Sequence, residues 1–310
     1  MTTALPAAGA PAPGRRYAAS KVPVITAWFW AIKVLSTAMG EATSDYLAHR
    51  YDPYVVVPLG GMALLLTLAV QLSVGRYVTW IYWLAVVMVA VVGTMAADSL
   101  HIQFGVPYYQ SSALFAVALA VILATWYWSE RTLSIHSIRT RRREVFYWAT
   151  VCATFALGTA VGDLTARTLG LGFLASGLMF AVVIAVPAIG NWKLRMNPIL
   201  AFWFAYVITR PLGASFADWM GMPHSIGGLG IGPGPVAVAL TIPIVVGVGY
   251  LGLSGRDVEE RASGTALAGR GGRGGRHRLT PALARQQAAS PAFGDQARPQ
   301  VSQSPERRDW

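Results

Sequence analysis

The sequence predicts an all-α polytopic membrane protein: eight transmembrane helices arranged as four parallel helical-hairpin repeats. Three observations carry this. The 310 residues are 54% hydrophobic and only 13% charged, whereas an ordinary soluble domain is about 25% charged. Eight apolar stretches, at roughly 23–48, 54–74, 77–101, 108–128, 145–168, 170–190, 197–220 and 232–252, each approach the ~20 residues needed to cross hydrocarbon. One spacing then recurs four times: a Trp, a Gly ten residues later and an Asp fifteen residues later, as Trp30/Gly40/Asp45, Trp83/Gly93/Asp98, Trp148/Gly158/Asp163 and Trp203/Gly213/Asp218. A repeat at fixed period declares one duplicated unit in which equivalent positions do equivalent work.

The repeats fall at about 21–75, 76–129, 141–191 and 196–253, within a membrane domain of residues 21–254. In each, one helix carries the Trp, Gly and Asp and a plainer helix returns, as in Val55–Val74 and Leu174–Ile189. The Asp residues are 53, 65 and 55 apart, and the longer middle gap is the basic linker Ser129–Arg143. Two double-hairpin halves, related by an axis along the membrane normal, account for this. All four signature helices then point the same way.

Residues 1–20 are Ala- and Pro-rich, without the apolar core of a cleavable signal. They form an N-terminal segment expected to be disordered, and the first helix serves as its own insertion signal. From Gly255 the periodicity stops, and residues 255–310, with the Arg/Gly run Gly269–Arg278, form a basic tail too poor in apolar residues to fold. The net charge of +11 lies mostly in ends and loops, which points to orientation more than to a nucleic-acid partner. Arg15, Arg16, Lys21, Arg76, Arg131, Arg139, Arg141–Arg143, Lys193 and Arg195 share one side, against Arg50 and Arg167 on the other. The positive-inside rule puts both termini in the cytoplasm. The lipid bilayer is the main partner, with anionic headgroups open to the tail.

Residues four apart share a helix face. Counting back from each Asp gives Lys33/Thr37/Glu41/Asp45, Val86/Ala90/Thr94/Asp98, Val151/Phe155/Thr159/Asp163 and Tyr206/Arg210/Ala214/Asp218. Each ionisable group at a helix centre costs roughly 2.5–3.5 kcal/mol on insertion scales, so these stripes turn inward. Four parallel helices whose negative dipole ends carry Asp attract a cation. The candidate binding ring is Asp45, Asp98, Asp163 and Asp218 with Glu41 below it, and Lys33 and Arg210 are counter-charges to Glu41 and Asp218. Asp163 has Arg167 one turn on. His49, His101 and His224 lie in the same outer layer and extend the candidate metal-ligand set, since Asp with His suits a divalent transition metal. A purely structural role, hydrogen bonding to backbone near each Gly or simple interfacial placement of each His, remains the competing reading.

The four Gly are expected to let backbones approach, Pro211 to kink its helix, and the ruler Trp to anchor in the interfacial aromatic belt. Cys152 is core filler. The loop Gly227–Pro235 lacks the Lys-Ser/Thr of a phosphate cradle, and no nucleophilic triad or dinucleotide fingerprint appears, so an enzyme is not expected.

The stretches KVPVITAWFWAIKVLSTAMGEATSDYL (Lys21–Leu47), TRRREVFYWATVCATFALGTAVGDLTA (Thr140–Ala166) and FWFAYVITRPLGASFADWMG (Phe202–Gly221) resemble a family of bacterial membrane-anchored proteins defined by a short repeat of unknown function, over roughly residues 21–252. The resemblance implies an inner-membrane location and supplies no activity. It carries over Lys33, Gly40, Glu41, Asp45, Gly158, Asp163, Arg210, Pro211, Gly213 and Asp218 as signature positions without roles. Copy two departs from the pattern, with no charge besides Asp98 in its span. The expectation is a transporter or channel for a small cation, a divalent metal exchanged for protons included. The alternatives are a sensor or scaffold whose polar stripe is a buried network and whose tail recruits a partner, and an intramembrane enzyme with paired acids facing lipid.

Overall fold

The computed structural model describes residues 20–193 and 197–258, with side chains for 20–186 and 197–258. The N-terminal segment before residue 20, the charges of Lys193 and Arg195, and the tail from 259 lie outside the described residues. Eight long helices account for almost all of the rest: α1 (Ala27–Arg50), α2 (Pro53–Ser73), α3 (Thr79–Ile102), α4 (Tyr108–Glu130), α5 (Arg141–Asp163), α6 (Phe173–Lys193), α7 (Pro198–Gly221) and α8 (Pro233–Ser254). Several starts are marked chemically. The side chains of Thr26, Asp52, Thr140 and Asn197 accept hydrogen bonds from the first free amides of α1, α2, α5 and α7, and Pro opens α2, α7 and α8, where no amide is needed.

Six of these helices are long and apolar enough to cross a membrane. The exceptions have visible causes: α1 carries Lys33, Glu41 and Asp45 along its length, and α6 is apolar over Phe173–Val186. The plain helices also turn large apolar side chains outward, among them Leu65 and Leu66 of α2, Val117 and Val121 of α4, Val182 of α6 and Val245 and Val246 of α8. A surface of this kind belongs in lipid, and the protein is a multi-pass membrane protein.

The signature helices α1, α3, α5 and α7 form a closed inner ring, each packed on the next and α7 back on α1. The ruler glycines make that ring. A Cβ on Gly40 would strike Ala90, one on Gly93 would lie 2.7 Å from the Phe155 Cβ, one on Gly158 would strike Arg210, and one on Gly213 would strike Thr37. Each struck residue is the seventh after its own Trp. Equivalent positions meet around the whole ring, so the four helices are parallel, in register and related by pseudo-fourfold symmetry. The glycine role expected from sequence is close backbone approach, and the geometry is that.

The plain helices differ from the hairpin expectation. The helix α2 packs on α3, α4 on α5, α6 on α7 and α8 on α1, with far less contact to the signature helix of their own repeat. Each repeat therefore lends its second helix to its neighbour, and the last closes on the first. The ruler Trp residues also depart from expectation: Trp83, Trp148 and Trp203 are buried, stacked with Phe29, Tyr82, Tyr147 and Phe202 into an aromatic plug. Trp203 donates its indole N–H to the Leu133 carbonyl at 2.9 Å. Exposed aromatics at this end are instead Trp28, Trp80 and Trp128. Helix α7 runs unbroken through Pro211, whose ring lies against Gly158.

Beyond the Trp end, charges that looked solvated are folded in. Lys21 is buried and donates to Glu144 at 2.5 Å, and Gln71 donates to the other Glu144 oxygen at 2.9 Å. Asp257 is buried too, accepting from Tyr77 at 2.5 Å and Thr79 at 3.0 Å. Residues 255–258, counted with the tail on sequence grounds, are thus part of the folded body. Burial and the adjacent Asp257 carboxylate push the Tyr77 phenol above its ordinary value.

Adding one carbon at a ruler glycine tests the ring. Gly40→Ala and Gly93→Ala should each cost about 1–3 kcal/mol through overpacking. Gly61→Ala and Gly249→Ala, where nothing lies within 4 Å, should be neutral or stabilising by up to about 1 kcal/mol. Thermal denaturation in detergent measures all four.

Candidate functional site

The ring aligns the four stripes into layers along one axis. At the eleventh residue after each Trp stand Glu41, Thr94, Thr159 and Ala214. Ala214 leaves the room into which Arg210, one turn lower on the same helix, extends. Its guanidinium donates to Glu41 Oε2 at 2.7 Å, to Thr159 Oγ1 at 2.7 Å, to Thr94 Oγ1, and to the Thr37 carbonyl at 3.1 Å. Thr94 and Thr159 also donate to Glu41 Oε2, at 3.0 and 3.2 Å. Arg210 and Glu41 are fully or almost fully buried, so this is an ion pair in a low-dielectric interior. Such a pair contributes little against an apolar substitute, while breaking it costs about 3–5 kcal/mol.

Every repeat contributes to this latch. Thr37 and Glu41 come from copy one, Thr94 from copy two, Thr159 from copy three and Arg210 from copy four. The counter-charge role expected of Arg210 is directed at Glu41, not at Asp218.

Lys33, the other expected counter-charge, reaches no carboxylate. Its ammonium nitrogen sits 3.9 Å from the centroid of the Phe155 ring and 4.1 Å from that of Tyr206, fully buried and without a hydrogen-bond partner. Cation–π attraction reaches about 2 kcal/mol when desolvated, short of the several kcal/mol that isolating an ion costs. Arg210 lies over the same Phe155 ring, at 5.1 Å.

Beyond the latch, at the fifteenth position, come the four Asp. Asp45 and Asp98 are half-buried, and one oxygen from each lies with one from Glu41 inside a mutual separation of 4.8 Å. Oxygens around one hard cation at roughly 2.1–2.5 Å are at most roughly 4–5 Å apart, so these three fit a single ion. Asp163 is held instead by Arg167, whose Nε donates at 2.7 Å. A π-helical turn, Leu164–Thr168, follows Asp163 directly, and π turns concentrate at functional sites. Asp218 keeps one oxygen buried and unpartnered. Along the described axis five carboxylates stand with three cations, Lys33, Arg167 and Arg210, an excess of two negative charges at full ionisation.

The histidines stand apart from the three-oxygen cluster. His49 is exposed and turns Nδ1 to the Asp45 carbonyl at 2.6 Å. His101 turns Nδ1 to the Val106 carbonyl at 3.0 Å and stacks on Tyr108. His224 is exposed and faces the Gly228 carbonyl at 3.0 Å. His49 braces the end of its own helix and His101 and His224 their own loops, and among the described residues the grouping that could hold an ion is oxygen-only.

Sequence reasoning put Thr94 and Thr159 on the stripe without a role, and it missed the hydroxyl pair Tyr82–Tyr147 and the Lys21–Gln71–Glu144 cluster. A usable signal existed for the tyrosines: both occupy the position just before the ruler Trp, where copies one and four have Phe. Glu144 is the lone acid after three Arg. The described surface also holds a groove of about 1060 Å³ between α2 and α8 over the α1–α3 seam, lined by Leu59, Leu84, Val87 and Ile244 among others. It is apolar and faces lipid, away from the carboxylates.

The fold and axis define a class: a multi-pass, all-helical membrane protein in which four equivalent repeats enclose a polar centre. The chain belongs to the family described as Repeat of Unknown Function (DUF347), whose copies match residues 28–77, 81–132, 146–196 and 201–257. Each matched copy holds one signature helix and the plain helix after it. No curated protein and no solved structure matches the chain.

The latch can be tested by a double-mutant cycle. Arg210→Met strands the Glu41 carboxylate and should lower stability by about 3–5 kcal/mol, while adding Glu41→Gln should restore part of it, by about 1 kcal/mol or more. Additive losses would mean the pair does not interact in the folded protein.

Proposed function

We propose that the protein binds a divalent cation at Glu41, Asp45 and Asp98 and passes it across a bacterial inner membrane, acting as a transporter and not as an enzyme. The observation that carries this is the three-carboxylate cluster next to a guanidinium that competes for one of its members. Arg210 holds Glu41 as a tethered cation. An incoming ion held by Asp45 and Asp98 takes Glu41 as its third ligand in competition with Arg210, which holds that carboxylate through Oε2, so occupancy of the mouth weakens the latch. Asp218, with a free oxygen, and Asp163, held by Arg167, complete the negative mouth that concentrates cations before binding. An oxygen-only cluster suits Mg, Ca or Mn more than the softer metals. In this reading the ion is substrate, the Asp end faces outward and both termini are cytoplasmic, in line with the loop charges.

A second reading has a specific observation behind it. The aromatic plug closes the Trp end and Asp163 is satisfied inside its own helix, as in a non-transporting sensor or scaffold whose network fixes helix register and whose basic tail meets a partner.

Mn2+ distinguishes them, since its free form is counted by electron paramagnetic resonance and its entry into proteoliposomes by quenching of an internal dye. Asp45→Asn and Asp98→Asn should each weaken Mn2+ binding by about 10-fold or more, and Asp163→Asn by less than about 3-fold, because removing a ligand costs at least what removing a supporting group does. Saturable entry lost in the first two variants supports transport. Binding without entry favours the sensor, and no binding in the wild type sinks the cation site.

A further inference from the structure

Below the latch the axis carries a second set of groups that cation binding does not use. Lys33 is caged against Tyr206. The Tyr206 hydroxyl is fully buried beside that of Tyr147 without closing a hydrogen bond to it. The Tyr147 and Tyr82 hydroxyls are joined at 2.5 Å, both buried. The ring of Tyr77 meets that of Tyr82 edge-on at 5.5 Å, and the Tyr77 hydroxyl donates at 2.5 Å to Asp257, whose other oxygen is buried and unpartnered. From the middle of the bundle to the Trp end there thus runs a series of buried hydroxyls between an amine and a carboxylate, with Tyr147–Tyr82 and Tyr77–Asp257 as its hydrogen-bonded links and Trp83, Trp148 and Trp203 packed around it.

We propose that Lys33 is a proton site, loaded and emptied from the Trp end through Tyr206, Tyr147 and Tyr82 toward Asp257, and that its proton is what the cation is exchanged for. The inference rests on the cation reading for the exchange, and on the buried file alone for the proton path. The step balances. The Lys33 ammonium gives a proton to the Tyr206 oxygen while the Tyr206 hydroxyl proton passes to Tyr147, that of Tyr147 to Tyr82, that of Tyr82 to Tyr77, and that of Tyr77 along its hydrogen bond to the Asp257 carboxylate. Each phenol ends with one proton and rotates back, and nothing is oxidised or reduced.

Coupling to the mouth follows from the shared ring. Lys33 and Arg210 both lie over Phe155, and two positive charges there repel. A charged Lys33 presses the guanidinium toward Glu41, keeping the latch shut. A neutral Lys33 lets Arg210 draw back toward Phe155 and leaves Glu41, already beside Asp45 and Asp98, free to bind the ion fully. The groups facing Lys33 are Phe155 of α5 and Tyr206 and Arg210 of α7; Tyr147 of α5, Tyr82 of α3 and Cys152 of α5 stand behind Tyr206. The buried face of α8 offers Val236, Ala237, Ile244, Gly247 and Leu251, none titratable. Arg210 is therefore the charged group that faces Lys33.

The test has two arms on the full-length protein in detergent. In the first, Mn2+ is mixed with protein in weakly buffered solution containing a pH dye. The wild type should release about one proton per Mn2+ bound, and Lys33→Met should lose that release. Tyr82→Phe and Tyr147→Phe keep the rings, so Mn2+ affinity and proton yield should stay the same while release slows by about 10-fold or more. In the second arm the three lysines, Lys21, Lys33 and Lys193, are labelled with 15N at Nζ, the Lys33 resonance is assigned by its loss in Lys33→Met, and its proton exchange with solvent is followed against pH. The two Tyr→Phe variants should slow that exchange. This arm needs no metal, so a wild type that fails to bind Mn2+ removes the cation reading and leaves the proton path to be decided here. Undiminished proton release in Lys33→Met, or exchange at Lys33 that is indifferent to both Tyr→Phe changes, overturns the proposal.

Discussion

The constraint on which the rest depends is the close approach of four parallel helix backbones at Gly40, Gly93, Gly158 and Gly213. With a side chain at any of these positions the neighbouring helix, at the seventh residue after its own Trp, has to move away. With glycine at all four, the axial positions of every repeat are pressed together and lipid is excluded from them. A long polar side chain that reaches across the axis there finds its partners in the other three repeats. That is why Arg210 finds Thr37, Glu41, Thr94 and Thr159 as acceptors, one or more from each of the other copies. The glycine spacing sets the distance between backbones, and the distance selects what can stand between them.

On this symmetric frame the four copies have diverged position by position. The fifteenth position keeps Asp throughout. At the eleventh, Glu, Thr, Thr and Ala give one charge, two hydroxyls and a gap, and the gap admits the arginine. At the seventh, Thr, Ala, Phe and Arg combine a small pair with a large pair, so that Phe155 and Arg210 fill the centre. At the third, Lys33 and Tyr206 face two Val. A four-fold ring of identical charged residues would carry like-charge repulsion at every layer. Divergence replaces that with complementary neighbours, and it confines the unmatched negative charge to the one layer where two of the carboxylates, Asp45 and Asp98, stay half-buried.

The repeat length was legible in the sequence because the ruler is written in three chemically distinct letters at constant spacing, and with it the inward face, the parallel ring and the role of the glycines. Partner choice among helices was not legible. Nothing in the composition of α2 distinguishes packing on α1 from packing on α3, since both expose comparable apolar ridges, and only the geometry of the closed ring decides. The Trp residues misled for a related reason: an aromatic near the end of an apolar span looks the same whether it faces headgroups or the centre of a four-helix ring. Lys21 and Asp257 looked like solvated loop charges because their partners, Glu144 and Tyr77, lie 123 and 180 residues away in the chain. For the histidines, proximity in sequence to the Asp residues suggested ligation, while the rings turn to nearby backbone carbonyls, of Asp45 in α1 for His49 and of loop residues for His101 and His224.

The two ends of the bundle differ in a way that gives the latch its meaning. At the Asp end Asp45 and Asp98 are half-buried, and the deepest carboxylate, Glu41, is already held by a cation of the protein itself. At the Trp end the aromatic plug leaves no exposed side chain on the axis: Tyr82, Tyr147 and Tyr206 are fully buried. An ion the size of a hydrated divalent cation cannot enter such a plug, whereas a proton passed between hydroxyls requires no opening at all. Any movement of a larger ion past this end therefore requires the signature helices to separate there. The glycine contacts lie at the level of the latch, and two of them are made on its own members, Gly158 on Arg210 and Gly213 on Thr37. A change in how the signature helices approach one another there therefore reaches the latch directly, with the mouth on one side of it and the plug on the other.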